Sequence, residues 1–145
     1  MDILSIAIIL FIILEVLNVI TLYFNPGTQI GNGVGVFKAW EKSKEDEELH
    51  SFVKYLVYWV AGTKVIFIVL LIVVLLTGSY YTKLFSVVAL ILSILSFYWR
   101  LYPLIREIDR KEQIIPKGYS KGLGMMIGGF ILIFTVALLI NMVNS

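Results

Sequence analysis

Apolar residues in this chain are gathered into four long blocks, with the polar residues confined to the stretches between them. The first block runs from about Ile3 to Phe24, the second from about Val53 to Thr77, the third from about Tyr80 to Leu104 and the fourth from about Gly122 to Val143. Each has the ~20 residues that a helix rising ~1.5 Å per residue needs to cross a hydrocarbon core of ~30 Å. A soluble domain mixes apolar and polar positions within each element, so this segregation predicts an all-α integral membrane protein. The expected architecture is one membrane domain over residues 1–145, a four-transmembrane-helix bundle. Met1 and Asp2 supply no basic n-region and no small-residue cleavage site follows, so the first block reads as a retained span.

The connections are unequal. Residues 25–52 form a long one. Pro26 and Gly27 stop the first helix and turn the chain. Gly31, Gly33 and Gly35 alternate as in a phosphate-binding loop, but the strand and βαβ unit that such a loop needs are missing, so a flexible or re-entrant connection is expected. From Val36 to Lys42 the pattern predicts a short helix lying at the membrane interface. Phe37 and Trp40 share one of its faces, and Lys38 and Lys42 another. Ser43 is expected to cap a helix whose first turn holds Glu45 to Glu48, and that helix runs on toward the second span. Consecutive carboxylates on a helix point in different directions, which favours capping over an acidic metal site. Gly78 and Ser79 allow only a tight turn. The third helix is expected to continue past Pro103 toward Glu112, within a second connection over 105–121.

Composition narrows the chemistry. The chain is 59% hydrophobic with mean hydropathy +0.92. It has no cysteine, which removes disulfide exchange, thiolate catalysis and thiolate metal sites. With His50 as its one histidine, it lacks the ligands for a bis-histidine haem. No cofactor and no metal is expected.

The net charge of +2 says little, and its distribution says more. Lys38, Lys42, Lys44, Lys54, Arg100, Arg106, Arg110, Lys111, Lys117 and Lys121 all fall on the side of the two long connections, and the opposite side holds only Lys83. The positive-inside rule then places both long loops in the cytoplasm and both termini outside, in a multi-pass cell-membrane protein. Trp40, Trp59 and Trp99 fall toward the cytoplasmic interface, as an aromatic belt would. Arg106, Arg110 and Lys111, with Arg100 at the end of the third span, are candidate contacts for anionic lipid headgroups. Glu107, Asp109 and Glu112 interrupt that cluster, and nucleic acid is not expected as a partner.

Two charges lie inside the apolar blocks. Glu15 sits roughly 2 Å from the middle of the first span and Lys64 roughly 1–4 Å from the middle of the second. The spans are antiparallel, so the two reach nearly the same depth. A lone charge there costs at least ~2.5 kcal/mol, so both should face inward and find partners. The expected intramembrane polar site is Glu15 against Lys64, with Asn18 three residues on along the same face and Thr63, Ser93 and Ser96 as further polar contacts. Ser86, Ala89, Ser93, Ser96, Arg100 and Pro103 follow spacings of three and four, a small-residue stripe expected to pack tightly or to line a cavity. Gly124 and Gly128 form a GxxxG pattern for close helix packing, within the subunit or across a homo-oligomer.

Three functions fit these residues. The first is a transport or channel subunit in which Glu15 is the protonatable group and Lys64 its counter-charge. The second is an accessory protein in which the pair only fixes helix register. The third, a lipid-acting enzyme at the interface using His50 or Glu45 to Glu48, lacks a visible catalytic constellation.

Overall fold

The computed structural model describes residues 2–143, and among them every regular element is a helix. Helix α1 spans Ile3–Phe24, α2 Lys38–Ser43, α3 Glu47–Thr77, α4 Tyr80–Leu95, α5 Leu101–Arg110 and α6 Tyr119–Val143. Four helical stretches are long and apolar enough to cross a membrane: α1, α3, α6, and α4 taken with α5. Ile66, Leu70, Leu132 and Leu139 point away from the protein, as suits side chains surrounded by hydrocarbon. Helix α1 is the hub, packing against α3, α4 and α6, while α4 also lies along α6.

Helix starts are set by local chemistry. Asp2 accepts a hydrogen bond from the Ser5 amide at 2.8 Å, and Ser79 accepts one from Thr82 at 3.3 Å. Asp46, not Ser43, caps α3 through the Leu49 amide at 3.1 Å. Ser43 instead ends the short α2, where its hydroxyl donates to the Trp40 carbonyl at 2.7 Å. Asp109 serves α6 from a distance, accepting from the Gly118 and Ser120 amides at 3.1 and 3.0 Å and from the Ser120 hydroxyl at 2.6 Å. These contacts satisfy donors that the first helical turn leaves without partners.

The half of the bundle nearest Asp2 and Val143 is tightly filled. Leu4, Ile8, Phe11, Ile68, Val87 and Phe134 are among the buried side chains there. Phe11 meets Phe67, Phe130 and Phe134 edge-on at centroid distances of 6.0, 5.7 and 5.4 Å. Such edge-to-face pairs suit the ring quadrupoles.

The other half, toward the two long loops, is looser. Helix α4 ends at Leu95, and a 3-10 turn at Ser96–Tyr98 leads into α5 as a separate helix. A helix does run on past Pro103, to Arg110, but residues 96–100 interrupt it after α4. Pro103 has no amide to donate to the Trp99 carbonyl and its ring crowds that group, so the chain breaks a turn earlier. Pro103 is then the third residue of α5, where a missing amide costs nothing. Tyr98 and Tyr102 fill the space against α6. The Tyr98 hydroxyl donates to the Gly124 carbonyl at 2.6 Å, and a Cβ on Gly124 would lie 2.6 Å from the Tyr102 ring. A Cβ on Gly128 would lie 3.2 Å from the Tyr98 hydroxyl, so the GxxxG face is occupied within this chain.

The loops cover this end together. The Lys38 amide donates to Gln113 at 2.9 Å and the Ile115 amide to Val36 at 2.8 Å. Val36, Ile105 and Ile114 form a small core beneath them. Trp40 belongs to this cover and not to an interface anchor. It is buried against Gly27, and its ring lies 4.8 Å from that of His50.

A charged cluster at the waist of the bundle

Helix geometry and one small residue bring together Glu15 and Lys64, the two charges within the apolar stretches of α1 and α3. Glu15 and Asn18 lie three apart on α1 and share a face. Ala61, fully buried, packs with Leu22 and Val57 and lets α1 and α3 approach one turn below Lys64. The Lys64 ammonium then reaches Glu15 Oε2 at 2.5 Å. The Asn18 amide nitrogen donates to the same oxygen at 3.5 Å. Side-chain exposure is 29% for Lys64 and 17% for Glu15, so neither is sealed from its surroundings.

The cluster leaves acceptors unused. Among the described residues nothing hydrogen-bonds Glu15 Oε1, and the buried Asn18 Oδ1 has no partner. Orphaned buried acceptors are uncommon, and each one calls for an explanation.

Three cavities reach the carboxylate. One of about 360 Å³ lies between α1 and α6, with Phe11, Leu14, Asn18, Thr21, Asn32 and Phe130 in its walls. A second of about 410 Å³ lies between α1 and α3 under the loops, and Asn18, Val34, Lys64 and Phe97 line it. A third of about 180 Å³ holds Lys64, Phe67, Leu90 and Ser93. Glu15 lines all three. The two larger volumes fall in the range of ~300–1,000 Å³ typical of small-molecule sites.

Of the six polar residues expected at this depth, Glu15, Asn18 and Lys64 come together and Ser93 edges the smallest cavity. Thr63 is exposed on the outer face of α3, its hydroxyl donating to the Val60 carbonyl at 2.8 Å. Ser96 is exposed and donates to the Ser93 carbonyl at 2.6 Å. The small-residue stripe of α4 therefore turns largely outward, and Val87, Leu90, Ile91 and Ile94 take the inner face. Bulky side chains fill the space between helices better than serine, whose hydroxyl is satisfied by its own backbone.

Among the surface cations, the Arg100 guanidinium lies 5.6 Å from the Trp99 ring centre and that of Arg106 5.9 Å from Tyr102. Arg110 is exposed. Lys111 pairs with Glu107 at 2.6 Å and Lys117 with Glu112 at 2.5 Å. The Lys117 hydrogen bond and charge hold the Glu112 carboxyl below its usual range. Among the described residues no group of three or more histidine, cysteine or acidic side chains is placed to hold a metal.

Thr21, Asn32, Phe11 and Phe130 were not legible as site residues. Asn32 reaches the cavities because the glycine-rich connection folds back over the bundle: Gly33 and Gly35 pack where a Cβ would lie 2.2 Å from the Thr28 carbonyl oxygen and 1.9 Å from that of Gly27. The alternating glycines were the available signal. Comparison with protein-family models, with curated proteins and with solved structures gives no match to this chain.

Proposed function

We propose that the chain is a multi-pass membrane protein that takes a small polar solute or ion at Glu15, Lys64 and Asn18, as a transporter or channel subunit. The observation that carries this reading is the meeting of three cavities on one intramembrane carboxylate beside an unpartnered Asn18 oxygen. A pair built only to hold two helices would be enclosed by packing, whereas intramembrane ionisable groups beside cavities mark substrate and proton paths. Phe11, Phe67 and Phe134 pack together on the side of Glu15 that faces the termini, so entry is from the loop side. By the positive-inside bias this side is cytoplasmic, with both termini outside in a cell membrane. Four short spans enclose little volume, so the working unit is a homo-oligomer. Arg100, Arg106 and Arg110, which have no ion-pair partner among the described residues, bind anionic headgroups at the cytoplasmic surface.

Proteoliposomes test this directly. Wild-type protein should dissipate an imposed proton or solute gradient, and Glu15→Gln should abolish the flux while the protein remains folded. Wild-type vesicles as tight as protein-free ones would contradict the proposal. A second reading, in which the pair is structural, is favoured by the direct 2.5 Å contact. Recovery of stability in a Glu15→Gln/Lys64→Met double variant would support it.

A further inference from the structure

We infer that the cavity between α1 and α6 is a site for a small organic cation, an ammonium group carried on an apolar body. The inference rests on the reading of the cluster as a ligand site and adds the charge and shape of the ligand. Its basis is the inventory of polar groups in that cavity. Glu15 is its one charged wall residue, and Lys64 does not line it. Lys64 and Asn18 both engage Oε2, which leaves Oε1 available on the carboxylate. The Asn18 amide nitrogen is directed to Glu15 and its Oδ1 has no partner, in a residue more than nine-tenths buried. The Thr21 hydroxyl donates its proton to the Leu17 carbonyl at 3.0 Å and offers only lone pairs.

The one charge in this wall is therefore a carboxylate, with further oxygens on Asn18 and Thr21, and the side-chain donors that remain are the neutral amide hydrogens of Asn18 and Asn32. An ammonium carries three donors and no acceptor, which is the matching set. An anion would meet the Glu15 charge in a low-dielectric site with only neutral amide donors to receive it. Asn32 and the Gly31 backbone aside, the rest of the wall is apolar, and Phe11 and Phe130 add aromatic faces that attract a cation electrostatically.

Lys64 acquires a defined part in this arrangement. Its ammonium already neutralises Glu15 from the opposite side, so a bound cation brings a second positive charge to one carboxylate. The two compete, and Lys64 has the second cavity into which its flexible stem can withdraw. Removing the lysine charge should tighten cation binding, whereas a site for an anion or a zwitterion would lose affinity.

The test is calorimetric titration of the full chain in nanodiscs, with empty nanodiscs subtracted for partitioning. The probes are phenethylammonium, 2-phenylethanol and 3-phenylpropanoate. The expected result is saturable binding of phenethylammonium alone, tightened about tenfold or more in Lys64→Met and lost in Glu15→Gln. Because Glu15→Gln strands a buried ammonium, the neutral double variant Glu15→Gln/Lys64→Met serves as the folded control and should not bind either. Binding of phenylpropanoate that disappears in Lys64→Met would overturn the cation assignment and leave the solute-site reading standing. Absence of saturable binding for all three probes would overturn both.

Discussion

Near Asp2 and Val143 the four helices meet through Phe11, Phe134, Leu4, Ile8 and Val87 with their rings in edge-to-face contact. Toward the loops the same helices part around a carboxylate, an ammonium and an amide, and cavities enter between them. The difference traces to a few positions. In the filled half, large side chains from α1, α3, α4 and α6 meet at one level. In the open half α4 stops at Leu95, α5 follows as a separate helix against α6, and the space is bridged by tyrosines and by the folded first loop. In the proposed membrane setting lipid would offer helices little hydrophobic drive to associate, and close packing would hold the filled half. The open half retains polar groups that packing alone does not need.

Substitutions should separate the halves. Phe134→Ala is expected to have the largest effect, about 3 kcal/mol by thermal unfolding in detergent, because it removes the centre of a filled core. Leu14→Ala, at a cavity wall, should cost less than about 1 kcal/mol, since it enlarges a space that already exists. Equal losses at the two sites would erase the contrast.

Glu15→Gln and Lys64→Met should each destabilise by about 2 kcal/mol, below the ~3–5 kcal/mol of a fully sealed pair because both groups are partly exposed. The double variant should recover only part of the loss, because Glu15 also faces cavities, and recovery of nearly all of it would favour the structural reading of the pair.

Gly124→Ala should cost about 1–2 kcal/mol through overlap with the Tyr102 ring. Gly129→Ala, with nothing within 4 Å of its Cβ position, should be within about 0.5 kcal/mol of neutral. A modest effect is expected for Asp2→Ala, about 1 kcal/mol from the lost cap on α1. Burial alone would raise the Asp2 carboxyl. Hydrogen bonds from the Ser5 amide and hydroxyl, with Lys83 behind them, outweigh it and hold the group below its usual range. A depressed folded-state value means that the wild-type advantage is present above the unfolded-state pKa. It should shrink as pH falls through the folded-state value, and unfolding compared at neutral and acidic pH checks this.

What the sequence made legible follows from the same physics. Segregated apolar blocks mark spans by length alone, and equal depth on antiparallel helices is enough to pair Glu15 with Lys64. Which face of a span turns inward is harder to read, because both faces are apolar. The serines of α4 shared a stripe, yet Val87 and Leu90 took the interior. Pro103 was visible, but its consequence appears a turn upstream, at Trp99 and Arg100. Trp40 had the composition of an interface anchor, and only the fold-back of the glycine-rich loop, which brings Gly27 against its ring, buries it. That contact spans residues whose order along the chain carries no periodic signal.

Access to the waist from the loop side and not from the other is the centre of this account, and cysteine labelling measures it. The chain has no cysteine of its own, so each introduced thiol reports alone. Thr21→Cys and Ala137→Cys in oriented vesicles would be treated with a charged, membrane-impermeant thiol reagent added to one face at a time. The account predicts that Thr21→Cys reacts only from the loop face and that Ala137→Cys stays silent from both. Reaction of Thr21→Cys from the termini face, or at neither face, would contradict it.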